Sequence, residues 1–229
     1  MNLREQLLQG KRAALFDMDG TLINSLIFWE HLWKTVGEKY LNDPTFRPDE
    51  TTDRECRTLT VDKAMELVHA RFGLGTCGQE LTDLAIELII VFYREVVEVK
   101  PGTLEFLKYL KDRGVKMAVA TASNGDLVQL AMERCGLKPY LDMVVSCAEV
   151  GKGKDQPDVF LLTLEKLGTT AEETWMFEDS YVALQTAKRI GMPTVGIFDA
   201  NNYGQDILKA NSDHYIAEGE QIDRLIGIL

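Results

Sequence analysis

Positive charge, cysteine, histidine and long apolar runs are all scarce in this sequence of 229 residues. Lysine and arginine number 25 against 36 aspartates and glutamates, which gives a formal net charge of -11. A surface of that sign disfavours the many phosphate contacts of nucleic-acid binding, and it disfavours adsorption to anionic membranes. We therefore expect no nucleic acid and no membrane among the partners, and an anionic substrate would need a locally positive site.

The few cysteines and the short apolar segments bear on the cellular compartment. Cys56, Cys77, Cys135 and Cys147 lie at wide, irregular spacings without a zinc or redox pair motif, so we expect buried thiols in a reducing compartment. The first ten residues lack the apolar core of a secretory signal, and no run reaches the ~20 apolar residues of a membrane span. The sequence thus predicts a cytoplasmic protein, either a monomer or a weak homodimer.

Apolar runs alternate with amphipathic stretches over most of the chain, a pattern typical of parallel α/β sheets. Six runs have the length and composition of strands: Ala13 to Phe16, Val115 to Ala120, Met143 to Ser146, Thr174 to Phe177, Thr194 to Phe198 and His214 to Ala217. Helical stretches separate the last five of these runs. The pattern predicts a Rossmann-like, mostly parallel sheet with helices on both faces.

The alternation stops between the first and second predicted strands. There the apolar spacing is helical, over Leu26 to Tyr40, Val61 to Phe72 and Leu81 to Val97. We therefore predict an all-helical cap at residues 23–99, inserted into an α/β core formed by residues 1–22 and 100–229. Because the chain would pass between the two domains twice, the cap could move as a lid.

Polar residues stand at the ends of four predicted strands. Asp17 and Asp19 follow the first strand two residues apart, so both side chains can face the same side of the extended chain. Further along, candidate residues follow the second, third and fourth strands: Thr121 with Ala122, Lys154, and Glu178 with Asp179. Since the carboxyl ends of parallel strands meet at one edge of a sheet, these residues are expected to converge.

The chemistry of this set fits phosphoryl transfer. Carboxylates such as Asp17 and Asp179 are hard oxygen ligands that suit Mg²⁺. Thr121 and the backbone amides after it, including that of Ala122, can hold phosphate oxygens, while Lys154 supplies a positive charge. Asp19 is then available to act as an acid and a base.

The motifs together resemble those of a known family. Residues 16–22, Thr121, Lys154 and residues 177–180 are similar to the four motifs of the haloacid dehalogenase superfamily. The inserted helices resemble the small cap of its phosphoglycolate phosphatase and β-phosphoglucomutase branches. The resemblance covers nearly the whole chain.

A mechanism and a metal site follow from the resemblance. It implies that Asp17 attacks phosphorus to give an aspartyl phosphate, while Asp19 protonates the leaving oxygen and later activates water. It also implies a Mg²⁺ ion bound by Asp17, the backbone carbonyl of Asp19 and Asp179, with Glu178 close by or in the outer shell.

Three functional interpretations remain open. The leading one is a Mg²⁺-dependent phosphatase of a small phosphorylated metabolite, such as a sugar phosphate or phosphoglycolate. The second is a phosphomutase, against which Trp29 and Val61 stand where the mutases of this family carry a cap histidine and a cap arginine. The third is a catalytically silent protein that binds a phosphorylated metabolite. Because the dehalogenases that name the superfamily lack the second acid, the resemblance with Asp19 present implies phosphate chemistry and not carbon-halogen cleavage.

Some conspicuous features have ordinary structural interpretations. Residues 73–78 satisfy the dinucleotide pattern G-x-G-x-x-G, but they follow a predicted helix instead of a strand, so we expect a helix-helix connection. Trp29 and Trp33 are one helical turn apart and are expected in the core of the cap. Three arginines near the second predicted cap helix are expected to be solvated: Arg47, Arg54 and Arg57.

Overall fold

Six short strands form one parallel sheet in the computed structural model of the protein, which describes residues 11–57 and 59–226. The strands are β1 (Ala13–Phe16), β2 (Lys116–Thr121), β3 (Met143–Ser146), β4 (Thr174–Glu178), β5 (Thr194–Ile197) and β6 (His214–Ile216). Their order in the sheet is β3-β2-β1-β4-β5-β6, and every neighbouring pair is parallel. The predicted fold class is confirmed. Thr121 and Glu178 are the last residues of their strands, one residue beyond the predicted ends.

The helices are, in chain order, α1 (Phe28–Leu41), α2 (Glu50–Cys56), α3 (Val61–Phe72), α4 (Gly78–Val91), α5 (Thr103–Asp112), α6 (Gly125–Arg134), α7 (Cys147–Val150), α8 (Asp158–Leu167), α9 (Tyr181–Arg189) and α10 (Gln205–Asn211). A π-helical turn (Phe92–Val96) follows α4, and a 3₁₀ turn (Ile222–Leu225) follows β6. The single helix predicted from Leu81 to Val97 is therefore wrong in its last turn, where the hydrogen bonding changes.

The sequence analysis did not identify α2, α5 or α7. Helix α2 is short and polar, and its N-cap is Asp49, whose carboxylate accepts the N–H of Thr52 at 3.0 Å. Such a helix depends on its cap and not on an apolar period. Helix α5, in contrast, buries Phe106, Leu107 and Leu110, a spacing that the sequence does contain.

Side chains alternate between the two faces of the sheet along each strand, so apolar side chains lie on both faces. Helices cover both faces and bury these side chains. Ala13 and Leu15 of β1 belong to a buried cluster that includes Phe160 of α8 and Ala187 of α9. Phe16 points to the other face, where its ring stacks on Phe177 with the centroids 4.5 Å apart. Phe106 of α5 meets both of these rings edge-on.

The chain divides into two compact units. Among the described residues, the core unit contains those up to Leu26 and those from Val97 onward, and the helical unit lies within Ile27–Val96. The predicted limits of the insertion, residues 23 and 99, lie a few residues outside these divisions. That the helical unit serves as a cap stays a prediction.

Two short segments of the core unit lead to and from the helical unit, and they pair with each other. The N–H of Asn24 donates to the carbonyl of Glu98 at 2.8 Å, and the N–H of Lys100 donates to the carbonyl of Leu22 at 2.9 Å. These backbone bonds fix both segments next to the end of β1.

The helical unit has an internal polar network at its centre. Trp33 is buried, and its indole N–H donates to Asp53 at 2.5 Å. Arg57 donates to the other oxygen of Asp53 at 2.8 Å, and its guanidinium lies 5.5 Å from the centre of the Trp29 ring. Arg57 is thus a largely buried partner of Asp53, and the prediction that it would be solvated is wrong. The other two arginines form exposed ion pairs, Arg47 with Glu30 and Arg54 with Glu50.

The cysteines differ from the expectation at one position. Cys56, Cys135 and Cys147 are buried, whereas Cys77 is exposed at the start of α4. The prediction of four buried thiols is therefore wrong for Cys77, which lies in the loop between α3 and α4 where no core forms. In the part of the chain that the structure describes, no helix has both the length and the apolar character needed to cross a bilayer.

Candidate active site

The end of β1 meets the end of β4 at the candidate site. The N–H of Asp17 donates to the carbonyl of Phe177 at 2.9 Å, which continues the parallel pairing by one residue and brings Asp17 beside Glu178. Gly20 then turns the chain with a φ of +85°, and a Cβ there would lie 2.8 Å from Cγ of Asp179. Only glycine accepts both this backbone conformation and this approach.

Lys154 joins the carboxylates of the two strands. Its ammonium donates to Asp17 and, at 3.0 Å, to Glu178. The side chains of Asp17 and Glu178 are buried and that of Lys154 is largely buried, since their exposed fractions are 8%, 2% and 11%. The loop between α7 and α8 therefore places a positive charge at the ends of β1 and β4.

Three buried carboxylates converge at this point. Oxygens of Asp17, Glu178 and Asp179 lie within 4.8 Å of one another. Burial raises the pKa of the Asp17 carboxyl to about 7, because desolvation and the nearby carboxylates outweigh the attraction of Lys154. Burial likewise raises the pKa of Glu178 to about 7 and that of Asp179 to about 8. Lys154, together with Lys100 acting on Asp179, does not balance the negative charge of the three carboxylates.

Lys154 itself remains a cation. Burial alone would lower the pKa of its ammonium, but the carboxylates of Asp17 and Glu178 hold that pKa above its ordinary value. A permanently charged lysine beside a carboxylate can bind a phosphate group without changing its own protonation.

The second aspartate of the pair lies outside the cluster of carboxylates. One oxygen of Asp19 accepts the hydroxyl of Ser25 at 2.7 Å, and the other accepts the hydroxyl of Ser123 at 2.6 Å. The N–H of Ser123 in turn donates to Oγ1 of Thr121 at 3.0 Å. The loop after β2, which includes Ala122, is thereby held next to Asp19.

Asp179 is held on both of its oxygens. Thr21 donates a hydroxyl to Oδ1 at 3.1 Å, and Asn202 donates its side-chain amide to Oδ2 at 2.7 Å. Each carboxylate oxygen retains a further lone pair, so these bonds orient the group without using its whole acceptor capacity.

The donor set fits a hard divalent cation. Three buried carboxylates within one small volume repel each other unless a positive charge lies among them. Oxygen ligands of this kind are those that Mg²⁺ prefers. The side chain of Asp19 does not belong to this group among the described residues, which leaves only its backbone carbonyl as a candidate ligand.

The structure therefore brings together most of the residues that the sequence predicted. Asp17, Lys154, Glu178 and Asp179 are in one cluster, and Thr121 is linked to Asp19 through Ser123. The roles assigned to these residues, and to Ala122, stay predictions.

Four contributors to the site were missed. Thr21 lies inside residues 16–22 and Ser123 directly follows Thr121 and Ala122, so their hydroxyls carried a usable signal. Ser25 and Asn202 follow no motif or spacing, and only the fold brings them to the site.

Comparison with known proteins identifies the family. Residues 14–197 match the sequence profile of the haloacid dehalogenase-like hydrolases. A phosphorylated carbohydrates phosphatase from Thermotoga maritima is 25% identical over 218 residues, which are 95% of this chain and 99% of the relative. Pyrophosphatase PpaX from Bacillus pumilus is 25% identical over 94% of this chain and 96% of its own.

Solved structures share the fold. CbbY from Rhodobacter sphaeroides, in complex with phosphate, superimposes with a TM-score of 0.73 at 21% identity, over 90% of this chain and 93% of its own. A β-phosphoglucomutase from Clostridium difficile gives a TM-score of 0.70 at 13% identity, over 94% and 93% of the two chains. The resemblance found in the sequence motifs is confirmed, and the protein belongs to the haloacid dehalogenase-like hydrolase family.

Proposed function

We propose that the protein is a Mg²⁺-dependent phosphatase that hydrolyses a small phosphorylated metabolite through an aspartyl phosphate. The observation that carries this proposal is the buried contact between Lys154 and Asp17, within a cluster of carboxylates and beside Asp19. A nucleophile, a cation and a separate acid are the groups that transfer of a phosphoryl group to a carboxylate requires.

Asp17 is the proposed nucleophile. Its carboxylate oxygen forms a bond to phosphorus while the bond between phosphorus and the ester oxygen breaks, and the leaving alcohol departs with a proton. Lys154 orients Asp17 and offsets the negative charge of the phosphoryl oxygens. Thr121 and the amides of the loop after it, including that of Ala122, are the proposed phosphate-binding groups.

Asp19 is the proposed acid and base. In the first step its carboxyl gives a proton to the leaving oxygen. In the second step its carboxylate takes a proton from the water that attacks phosphorus, while the bond between phosphorus and the Asp17 oxygen breaks and phosphate leaves with the Asp17 carboxylate restored. The bonds from Ser25 and Ser123 support this role because they fix the direction of the carboxyl group.

Asp17, Glu178 and Asp179, with the backbone carbonyl of Asp19, are the proposed ligands of Mg²⁺. When bound, the ion supplies positive charge that keeps the carboxylates ionised and neutralises the phosphate oxygens. The helical unit is the proposed cap, which would exclude bulk water and select the leaving group.

The named relatives support a small phosphorylated substrate. One is a phosphatase of phosphorylated carbohydrates and another is a pyrophosphatase, and each matches this chain over nearly its full length. Their different substrates agree with a shared core chemistry, with selectivity determined elsewhere in the chain.

A phosphate-release screen tests the proposal. The panel contains sugar phosphates, phosphoglycolate, pyrophosphate and nucleoside monophosphates, each with Mg²⁺ and with EDTA. We expect release that EDTA abolishes, and loss of turnover in Asp17→Asn with folding unchanged. Asp112→Asn, at an exposed ion pair with Lys108, is the matched control. Wild-type activity in Asp17→Asn would refute the nucleophile, and ligand-induced stabilisation without turnover across the panel would favour the silent binder.

The second candidate is a phosphomutase, which the fold of the Clostridium difficile β-phosphoglucomutase leaves open. Trp29 at the position of the mutase histidine counts against it. Product analysis on hexose 1-phosphates separates the two candidates, because a mutase yields the isomeric sugar phosphate whereas a phosphatase yields free phosphate and sugar.

A further inference from the structure

The loop after β5 reaches the carboxylate of Asp179 through one side chain. Strands β4 and β5 are neighbours in the sheet, so the segments after them leave at the same edge. Asn202, in the segment after β5, donates its amide to Oδ2 of Asp179 at 2.7 Å and lies 3.3 Å from the backbone carbonyl of Asp179. Asp179 itself is 2% exposed, so this donor replaces water at that oxygen.

The orientation of the Asn202 amide is fixed by a second bond. Its carbonyl oxygen accepts the N–H of Tyr203 at 2.8 Å. With the carbonyl end engaged by the backbone, the NH₂ end faces Asp179.

The loop that carries Asn202 is anchored by an ion pair between the buried Asp199 and the partly buried Lys100. Asp199 is 3% exposed, and its carboxylate lies 2.8 Å from the ammonium of Lys100, which also donates to the carbonyl of Phe198 at 2.9 Å. The N–H of Asn201 donates to Asp199 at 2.8 Å, and the N–H of Asn202 donates to the Asp199 carbonyl at 3.1 Å. The backbone at Asn202 is therefore held independently of Asp179.

We propose that Asn202 is a positioning residue that holds Asp179 in the orientation of a divalent-metal ligand. This inference rests on the proposed function and deepens it. Thr21 holds only Oδ1 of Asp179, at 3.1 Å, so without the Asn202 amide Oδ2 could move away from Asp17 and Glu178, whose negative charges repel it. A neutral amide holds the carboxylate without neutralising the charge that a cation needs, which a lysine or arginine at this position would do.

Mg²⁺ binding tests the inference, with Mg²⁺ alone as the probe and no substrate. Asn202→Leu removes the donor and keeps the branching and the number of heavy atoms of the side chain. Asn211→Leu is the matched control, because Asn211 is also partly buried and its amide donates to the Ile207 carbonyl at 2.7 Å, at the end of α10. We expect the dissociation constant for Mg²⁺, measured by titration calorimetry, to rise by about tenfold or more in Asn202→Leu and to stay within about twofold in the control.

A merely structural role gives a different result. It would lower the melting temperature of the metal-free protein without changing the affinity of the folded protein for Mg²⁺. If Asn202→Leu does not fold, Asn202→Ala takes its place in the same titration.

An unchanged Mg²⁺ affinity in a folded Asn202 variant overturns the inference, and so does a wild-type protein that does not bind Mg²⁺. The proposed function fails separately, if wild-type protein binds Mg²⁺ but releases no phosphate from any compound of the panel. In that case the role of Asn202 stands or falls on the titration alone.

Discussion

Ser123 and Asp19 are 104 residues apart in the chain, and the hydroxyl of Ser123 donates to Oδ2 of Asp19 at 2.6 Å. The hydroxyl of Ser25 donates to the other oxygen at 2.7 Å, so the two hydrogen bonds fix the orientation of the Asp19 carboxyl group. A group that transfers a proton to a leaving oxygen must lie within hydrogen-bond reach of it, so this fixed direction bears on catalysis.

Replacing Ser123 by alanine should slow the reaction by releasing one side of Asp19. We expect kcat for an alkyl phosphate to fall by about tenfold with little change in KM, because the protonation step is impaired and phosphate binding is not. For 4-nitrophenyl phosphate, whose leaving group needs no proton, the loss should be smaller. Steady-state kinetics on both substrates measure the difference.

Ser212→Ala is the control for this experiment, since the hydroxyl of Ser212 donates to the Leu208 carbonyl at 2.6 Å in the same unit. It should leave kcat unchanged for both substrates. An equal loss on both substrates in Ser123→Ala would contradict the role of the serine in orienting the acid.

The cluster of Asp17, Lys154, Glu178 and Asp179 could be predicted because it follows from topology. Short apolar runs with polar ends specify a parallel sheet, and a parallel sheet brings the carboxyl ends of its strands to one edge. Residue types at those ends then limit the chemistry.

Residues that hold the cluster in place could not be predicted in the same way. Ser25 lies in the segment that leads from the core unit to the helical unit, and Asn202 lies in an irregular loop after β5. Both segments are irregular, so the sequence around these residues shows neither the period of two residues of a strand nor the period of 3.6 residues of a helix. Arg57 was misjudged for a similar reason, because its burial depends on Asp53 and not on its own polarity.

Glu80 should make the stability of the helical unit depend on pH in the acid range. Its carboxylate accepts the N–H of Thr76 at 2.8 Å, the hydroxyl of Thr76 at 2.9 Å and the hydroxyl of Tyr40 at 2.8 Å. These bonds, first of all the one from the Thr76 backbone, lower the pKa of Glu80 to about 2 from 4.5. Glu80 thereby holds the connection at residues 73–78, which runs between two helices as the sequence analysis predicted.

The sign of the effect follows from that lowered pKa. The ionised form is favoured in the folded protein, so the contribution of Glu80 is complete above pH 4.5 and is lost as the pH falls towards 2. Glu80→Gln should therefore have a lower urea midpoint than wild type at pH 7, and the difference should shrink steadily below pH 4.5. Fluorescence of Trp29 and Trp33 reports on this unit when Trp175, which lies in the core unit, is replaced by phenylalanine in every protein compared.

Glu87→Gln is the control for the acid experiment, because Glu87 is an exposed residue of the same helix, α4. It should change the midpoint little at any pH. A difference between Glu80→Gln and wild type that stays constant from pH 7 to pH 2 would show that the charge of Glu80 is not the cause.

Thiol reactivity should single out Cys77. Burial raises the pKa of Cys56 and of Cys135 to about 11, and Cys147 is buried as well, so none of the three offers an accessible thiolate near neutral pH. We expect one fast equivalent with a disulfide reagent at pH 8, and its loss in Cys77→Ser. Denaturant should release the remaining thiols. A fast reaction that persists in Cys77→Ser would mean that a buried cysteine becomes exposed in the native protein.

Lys154 should be necessary for activity and for the stability of the metal-free protein. Lys154→Met leaves Asp17 and Glu178 buried without their cation, and removal of one partner from a buried ion pair costs about 3 kcal/mol of the free energy of unfolding. We expect that loss in urea unfolding with EDTA present, and partial recovery of stability with Mg²⁺. We also expect kcat to fall by about a hundredfold or more, because the charge beside the phosphoryl group is lost.

Lys166→Met is the control. It breaks an exposed pair with Glu149, where both side chains are about two-fifths accessible, so it should cost under about 1 kcal/mol and leave kcat unchanged. If Lys154→Met and Lys166→Met behaved alike in both measurements, the buried lysine would have no special part in neutralising the carboxylates, and the proposed phosphate site would lose its positive charge.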